Sequence, residues 1–439
     1  MRQLPVNISF TKQTLANGLD VLLHEDRACP IVAVNLWYHV GSKNEQPGHT
    51  GFAHLFEHLM FEGSEHHDKG YFQPLQGAGA TLNGSTNADR TNYWEVVPTG
   101  ALELALWMES DRMGYLLAAL TQAKFANQRD VVLNERRQNY ENRPYGLAPM
   151  ALLAALFPDD HPYHWTTIGE IADLESVQLD EVHAFFRRYY HPANASIALA
   201  GDIDADEALA LVEQYFGDID PGEAVEPVRA SAGLQRDVRI RFEDRVELPR
   251  LYLAWLTPAM FADGDADLDL ATDLLANGKT SRLYRRLVFD ERMATDVSAS
   301  QNSREIAGYS QITATAAPGH TLAELEAAIF EEIARLAADG PTDEEIERGR
   351  VQAEAQFMFR LQTVGGFGGK SDQLNAYNVF LHDPAFFDRD LARYQIVTGA
   401  SLRAAVNQYL DPARRVTLSI VPEGRPALAA VDSAMAVVS

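Results

Sequence analysis

One cysteine, Cys29, among 439 residues rules out an internal disulfide and any thiolate metal cluster. The lone thiol is expected to pack as a small hydrophobe. No run approaches the ~18 apolar residues of a membrane-crossing helix, so no membrane partner is expected. Basic residues are also scarce: 37 Lys and Arg face 62 Asp and Glu, a formal charge of −25. That field argues against nucleic-acid backbones and anionic membranes as partners and favours basic peptides, although solubility alone is the commoner reason for an acidic surface. The first ten residues lack the apolar centre of a secretory leader. As the sequence stands this places the chain in the cytoplasm, or in the periplasm if a signal segment precedes it.

What is present is enough apolar material, 46% of the residues, for two or more domains with real cores. Alternating and β-branched stretches predict strands over 8–14, 19–24 and 31–40, with a hairpin over 81–98. Helical periodicity marks 101–117, 123–142, 179–190 and 205–216. A Pro-, Gly- and acid-rich stretch over 218–236 reads as a linker between a domain at 1–217 and another at 237–439. Strands and helices alternate irregularly, which predicts an α+β fold: two homologous α/β sandwich domains, each a mixed sheet packed by helices. Gly365-Gly366-Phe367-Gly368-Gly369-Lys370 lacks the spacing of a phosphate loop and reads as a hinge or helix break.

The stretch His54-Leu55-Phe56-Glu57-His58 carries the chemistry. Composition alone would produce H-x-x-[DE]-H on the order of 0.05 times in a chain with 13 histidines. Apolar Phe52, Leu55, Phe56, Leu59 and Met60, between a Pro47-Gly48-His49-Thr50 turn and Gly63, predict a helix. On a helix, positions i, i+3 and i+4 share a face. Both imidazoles can then grip one metal ion while Glu57 reaches the water on it, in the inverted order of a zinc-protease motif. The plain alternative is a surface helix whose glutamate meets solvent. Catalytic zinc keeps three protein ligands and one open position, so a third ligand must come from elsewhere.

Downstream, Asn127-Gln128-Arg129-Asp130-Val131-Val132-Leu133-Asn134-Glu135-Arg136-Arg137 reads as a second amphipathic helix, with 76 residues between His58 and Glu135. In motif and distance the chain resembles the pitrilysin and mitochondrial processing peptidase family of zinc metallopeptidases. Thr81-Leu82-Asn83-Gly84-Ser85-Thr86-Asn87-Ala88-Asp89-Arg90-Thr91-Asn92-Tyr93 is similar to that family's substrate hairpin, with Gly84 where alanine is usual. Asn17-Gly18 resembles its opening turn, and the likeness is strongest from Leu15 to Gly146. The resemblance implies one zinc per chain held by His54, His58 and Glu135, with Glu57 as catalytic base. It nominates Asn83, on a strand expected at a sheet edge, as a peptide contact; an Asx-type turn role is the alternative. Shifting the first half by 215 residues lays His54, Glu57 and His58 on Asp269, Thr272 and Asp273, so the second half reads as a repeat without the metal site.

Two positions depart from the family pattern. Gln128 stands where many relatives carry a second glutamate, two helical turns before the distal ligand and therefore in the shell around the metal. Val288 and Thr295 stand where an arginine and a tyrosine hold the peptide, and neither can donate as those do. The expectation is therefore a zinc metalloendopeptidase that cleaves unfolded or extended peptides inside a dimer chamber. A homologous zinc-less chain would supply the missing pair, with a homodimer as the other possibility. A non-catalytic assembly subunit, or a peptide-binding module without turnover, is the alternative.

Overall fold

A computed structural model describes residues 7–436. Residues 1–6, read above for the absence of a leader, and 437–439 lie outside them. The first sheet contains β1 (Thr11–Thr14), β2 (Asp20–Glu25), β3 (Ile31–Tyr38), β4 (Thr81–Thr86), β5 (Thr91–Pro98) and β6 (Ala195–Gly201), in the order β1-β2-β6-β3-β5-β4. The second contains β7 (Val238–Asp244), β8 (Arg250–Thr257), β9 (Ala294–Asn302), β10 (Gly308–Ala316), β11 (Val416–Pro422) and β12 (Ala434–Met435), in the order β12-β7-β11-β8-β10-β9. Apart from the added edge strands β1 and β12, the two orders are the same. Each has one parallel pair, β2 with β6 and β7 with β11, followed by three antiparallel ones. Two mixed sheets with one topology, each packed by helices, make the second half a structural repeat of the first.

The hydrophobic pattern explains the placement. Ile31–Tyr38 is buried along almost its whole length because β3 is flanked on both sides, by β6 and β5. In contrast β4 pairs only with β5 and forms the outer edge, with Thr81 and Asn83 exposed. The chain divides into two compact units that interleave along the sequence. One takes the chain up to Asn134 with Thr167–Val228 and Ala355–Arg389; the other takes Glu135–Thr166, Arg229–Glu354 and the chain from Asp390 on. Thus helix Lys370–Leu381, late in the sequence, lies on the first sheet. There Asn375 donates to the Asn35 carbonyl at 2.7 Å, and Trp37 Nε1 donates to Asp372 at 2.9 Å. Helix Ala148–Leu156, early in the sequence, packs on β8 and β11.

No helix or strand occurs between Phe216 and Val238, and the glycine-rich stretch separates helix Asp343–Arg360 from helix Lys370–Leu381. Three local expectations are corrected. Strand pairing begins at Thr11 rather than residue 8. The helix expected to reach 142 is α-helical only to Arg136 and widens into a π-helical turn over Arg137–Glu141. Cys29 is exposed, because it falls in the turn between β2 and β3 rather than on an inward-facing strand position.

Candidate metal centre

Helix Phe52–Leu59 is held from both ends and from below. Phe52, Leu55, Phe56 and Leu59 are buried, and each such side chain contributes about 1.5–3 kcal/mol by leaving water. The Phe56 ring stacks on Phe185 at 5.6 Å and lies 5.0 Å from Tyr190. At the N-terminus the buried carboxylate of Glu45 accepts from the backbone N–H groups of Gly51 at 3.0 Å and Ala53 at 2.9 Å. It thereby satisfies donors that a helix start leaves orphaned. Asp173 fixes the preceding residue by accepting from both the N–H and the hydroxyl of Thr50. Gly51 itself has φ +87°, and a Cβ there would sit 2.8 Å from the Ile168 carbonyl oxygen, so both conformation and space demand glycine.

With the apolar face buried, His54, Glu57 and His58 fall on the other side. The two imidazoles are 4.8 Å apart between ring centres and nearly perpendicular. Helix Gln122–Arg136 brings Glu135 to them, and His54, His58 and Glu135 each offer a ligand atom within 4.8 Å of the others. Among the described residues this is the one group of three or more His, Cys, Asp or Glu side chains that can hold a metal ion. The boundary between the compact units falls within this continuous helix, between Asn134 and Glu135. Asn139 donates to Glu135 at 3.3 Å, which orients the carboxylate. Two imidazoles and one carboxylate match the donor set of catalytic zinc, and three ligands leave a coordination position open.

Glu57 lies between the two histidines in sequence, and its Oε2 is 3.4 Å from His54 Nδ1, with side chains 17% and 14% exposed. Burial works to raise its pKa, but the hydrogen bond and positive field of His54 outweigh that and hold the carboxyl below its ordinary value. The group is therefore a carboxylate, ready to accept a proton.

The remaining expected residues separate. Asn83 is on the exposed edge strand, where its side-chain oxygen accepts from the Gly84 N–H at 2.8 Å, a local Asx-type bond. A Cβ on Gly84 would meet the rings of Tyr93 at 3.1 Å and Phe61 at 3.2 Å, which accounts for glycine in place of alanine. Gln128 donates its side-chain amide to Glu62, at the end of the metal helix. Glu62 was not singled out from the sequence, although its spacing of four from His58 continues the His54/His58 stripe. Val288 packs against the second core, and the Thr295 hydroxyl donates to Asp296 at 3.2 Å. Arg304 lies 5.1 Å from the rings of both Tyr163 and Tyr309, so those three side chains form one stack.

Known proteins match this arrangement along most of the chain. Residues 20–164 match the family described as Insulinase (Peptidase family M16), and residues 176–352 match the Peptidase M16 inactive domain. The zinc protease PqqE of Helicobacter pylori is 27% identical over 362 residues, covering 81% of each chain. An uncharacterised zinc protease of Mycobacterium leprae is 29% identical over 338 residues, covering 76% of this chain and 75% of its own. Among solved structures, a protease from Helicobacter pylori superposes with a TM-score of 0.87 at 25% identity, covering 95% of this chain and 100% of that one. A peptidase M16 inactive domain from Pseudomonas fluorescens gives 0.83 at 20% identity, covering 94% and 98%, a likeness of fold. No described helix is long and apolar enough to cross a membrane.

Proposed function

Because this chain belongs to the pitrilysin (M16) family of peptidases, we propose that it is a zinc metalloendopeptidase that hydrolyses unfolded or extended peptides. The observation that carries this reading is the mutual reach of His54, His58 and Glu135, with Glu57 set between the two histidines. These three side chains would hold one zinc ion. When bound, zinc supplies Lewis acidity, which makes water nucleophilic at neutral pH and polarises a peptide carbonyl. Glu57 takes the proton of the attacking water and delivers it to the leaving amine, a role that needs the carboxylate form at the start. The open side of β4 offers unpaired backbone groups to an extended peptide, which can add as a further strand and present its carbonyl beside the helix. Asn83, exposed on that strand, is placed to contact it.

The partner is proposed to be a homologous zinc-less chain, since Val288 and Thr295 cannot provide a cationic and a phenolic donor. Recovery only of self-paired chains that cleave peptides at full rate would overturn the partner. The activity is tested by substituting Glu57→Gln and measuring metal content together with cleavage of a long quenched-fluorescent peptide. One zinc per chain should be retained while cleavage falls by roughly 10²–10⁴-fold. Undiminished cleavage in that variant would remove Glu57 from the mechanism.

A further inference from the structure

Glu62 and Gln128 join the two segments that carry the metal-ligating side chains. The helix bearing His54 and His58 ends at Leu59, but the chain keeps turning: the Phe61 N–H donates to the His58 carbonyl and the Glu62 N–H to the Leu59 carbonyl, both at 3.1 Å. His54, His58 and Glu62, spaced by four, therefore form one run of side chains. On the other helix, Lys124, Gln128 and Glu135 are related by i, i+4 and i+11, which at 3.6 residues per turn places them within one narrow face. The pairings are antiparallel. Glu135 meets His54 and His58, Gln128 donates to Glu62, and Lys124 pairs with Asp68. The turn beneath Glu62 is itself fixed, with the Phe61 ring stacked on Phe72 at 4.6 Å and the buried Arg112 guanidinium 5.4 Å from it.

We propose that Glu62 and Gln128 are a positioning pair that sets the distance between the His54/His58 helix and the Glu135 helix, with Lys124–Asp68 as an outer rung. This rests on the metal-centre reading above and adds residues to it. It also accounts for an uncharged amide at 128. A carboxylate there would face the carboxylate of Glu62 and push the helices apart, whereas an amide donates to it through a charge-assisted hydrogen bond. Carboxylate and amide can exchange places without losing that bond.

The full-length chain, freed of metal by dialysis against a chelator, would be titrated with Zn²⁺ in competition with a fluorescent chelator. Glu62→Ala and Gln128→Glu should each weaken Zn²⁺ binding by about 10–100-fold, the range for groups that orient ligands. The exchanged double variant, Glu62→Gln with Gln128→Glu, should return to within about threefold of the parent, which a mere loss of packing would not allow. Gln128→Glu is nearly isosteric, so circular dichroism should report the parental fold and keep the comparison valid even if Glu62→Ala misfolds. Binding by Gln128→Glu within threefold of the parent, or a double variant no better than Gln128→Glu, overturns the positioning pair alone. Failure of the parent to bind Zn²⁺, or parental affinity in His58→Ala, overturns the metal centre and the pair with it.

Discussion

The same helix occurs twice in this chain, and the two copies put one face to opposite uses. In the first unit helix Phe52–Leu59 carries His54, Glu57 and His58 on a face that three ligand atoms converge upon. In the second, helix Asp265–Ala276 carries Asp269, Thr272 and Asp273 at the matching positions. Nothing is left there for a metal. Tyr394 donates to Asp269 at 2.6 Å, Arg393 to Asp265 at 3.1 Å and Asn277 to Asp273 at 2.8 Å, while Thr272 is buried and donates to the Asp269 carbonyl. At the place of Glu135, 215 residues on, stands Arg350, whose guanidinium donates to the Val397 carbonyl. A repeated fold thus keeps its helix while the polar groups around it decide whether the face is a site or a sealed joint. Buried polar groups must be satisfied somewhere. The second unit satisfies them with its own tyrosine, arginine and asparagine.

Paired substitutions break the comparison most sharply. His58→Ala should abolish both zinc retention and peptide cleavage, whereas Asp273→Ala should leave both intact; metal analysis and the peptide assay read the difference. A loss of zinc in the second variant would mean that the two helices are not independent.

A smaller effect is expected in stability. Burial raises the pKa of Asp269 to about 7, against the hydrogen bond from Tyr394. A carboxyl with a folded pKa above its unfolded one contributes stability that is complete below about pH 4 and lost as pH rises towards 7. Asp269→Asn removes that titration and keeps an acceptor for Tyr394. Each tenfold change in acidity is worth about 1.4 kcal/mol, a figure reduced here because the side chain is only half-buried. The variant should therefore be more stable than the parent by about 2 kcal/mol at pH 8. The gain should vanish near pH 4. Thermal denaturation at the two pH values tests the sign, and a variant less stable at pH 8 would show that the Tyr394 bond outweighs the buried charge.

The smallest expected effect is none. Grafting Asp269→His, Thr272→Glu and Asp273→His together should still give one zinc per chain, because Arg350 stands where a third ligand is needed. A second equivalent of tightly held zinc would show that two histidines suffice in this fold.

Much of this was legible in the sequence because it is local. The i, i+3, i+4 spacing of His54, Glu57 and His58 and the apolar side formed by Phe52, Leu55, Phe56 and Leu59 dictate one helix with two faces. Strand pattern likewise marked the repeat, down to the helix that ends at Ala276. Glu62 and Glu45 escaped notice because neither has meaning along the chain. One needs Gln128 across 66 residues, the other needs the orphaned N–H groups of a helix six residues on. Cys29 was misplaced for a related reason: burial depends on where a turn falls, and a small apolar side chain carries no signal for that.

The sequence by itself determined the ligand types, the helix that aligns two of them and the duplication of the fold, since periodicity and residue chemistry act over a few positions. Tertiary structure decided that Glu135 reaches those histidines, that an amide at 128 answers a carboxylate at 62, and that the second helix is sealed. It also decided which stretches of chain build each unit, with 135–166 and 355–389 each packing away from its own half of the sequence. These are contacts between distant residues, fixed only when whole layers bury their apolar faces and every enclosed polar group finds its partner.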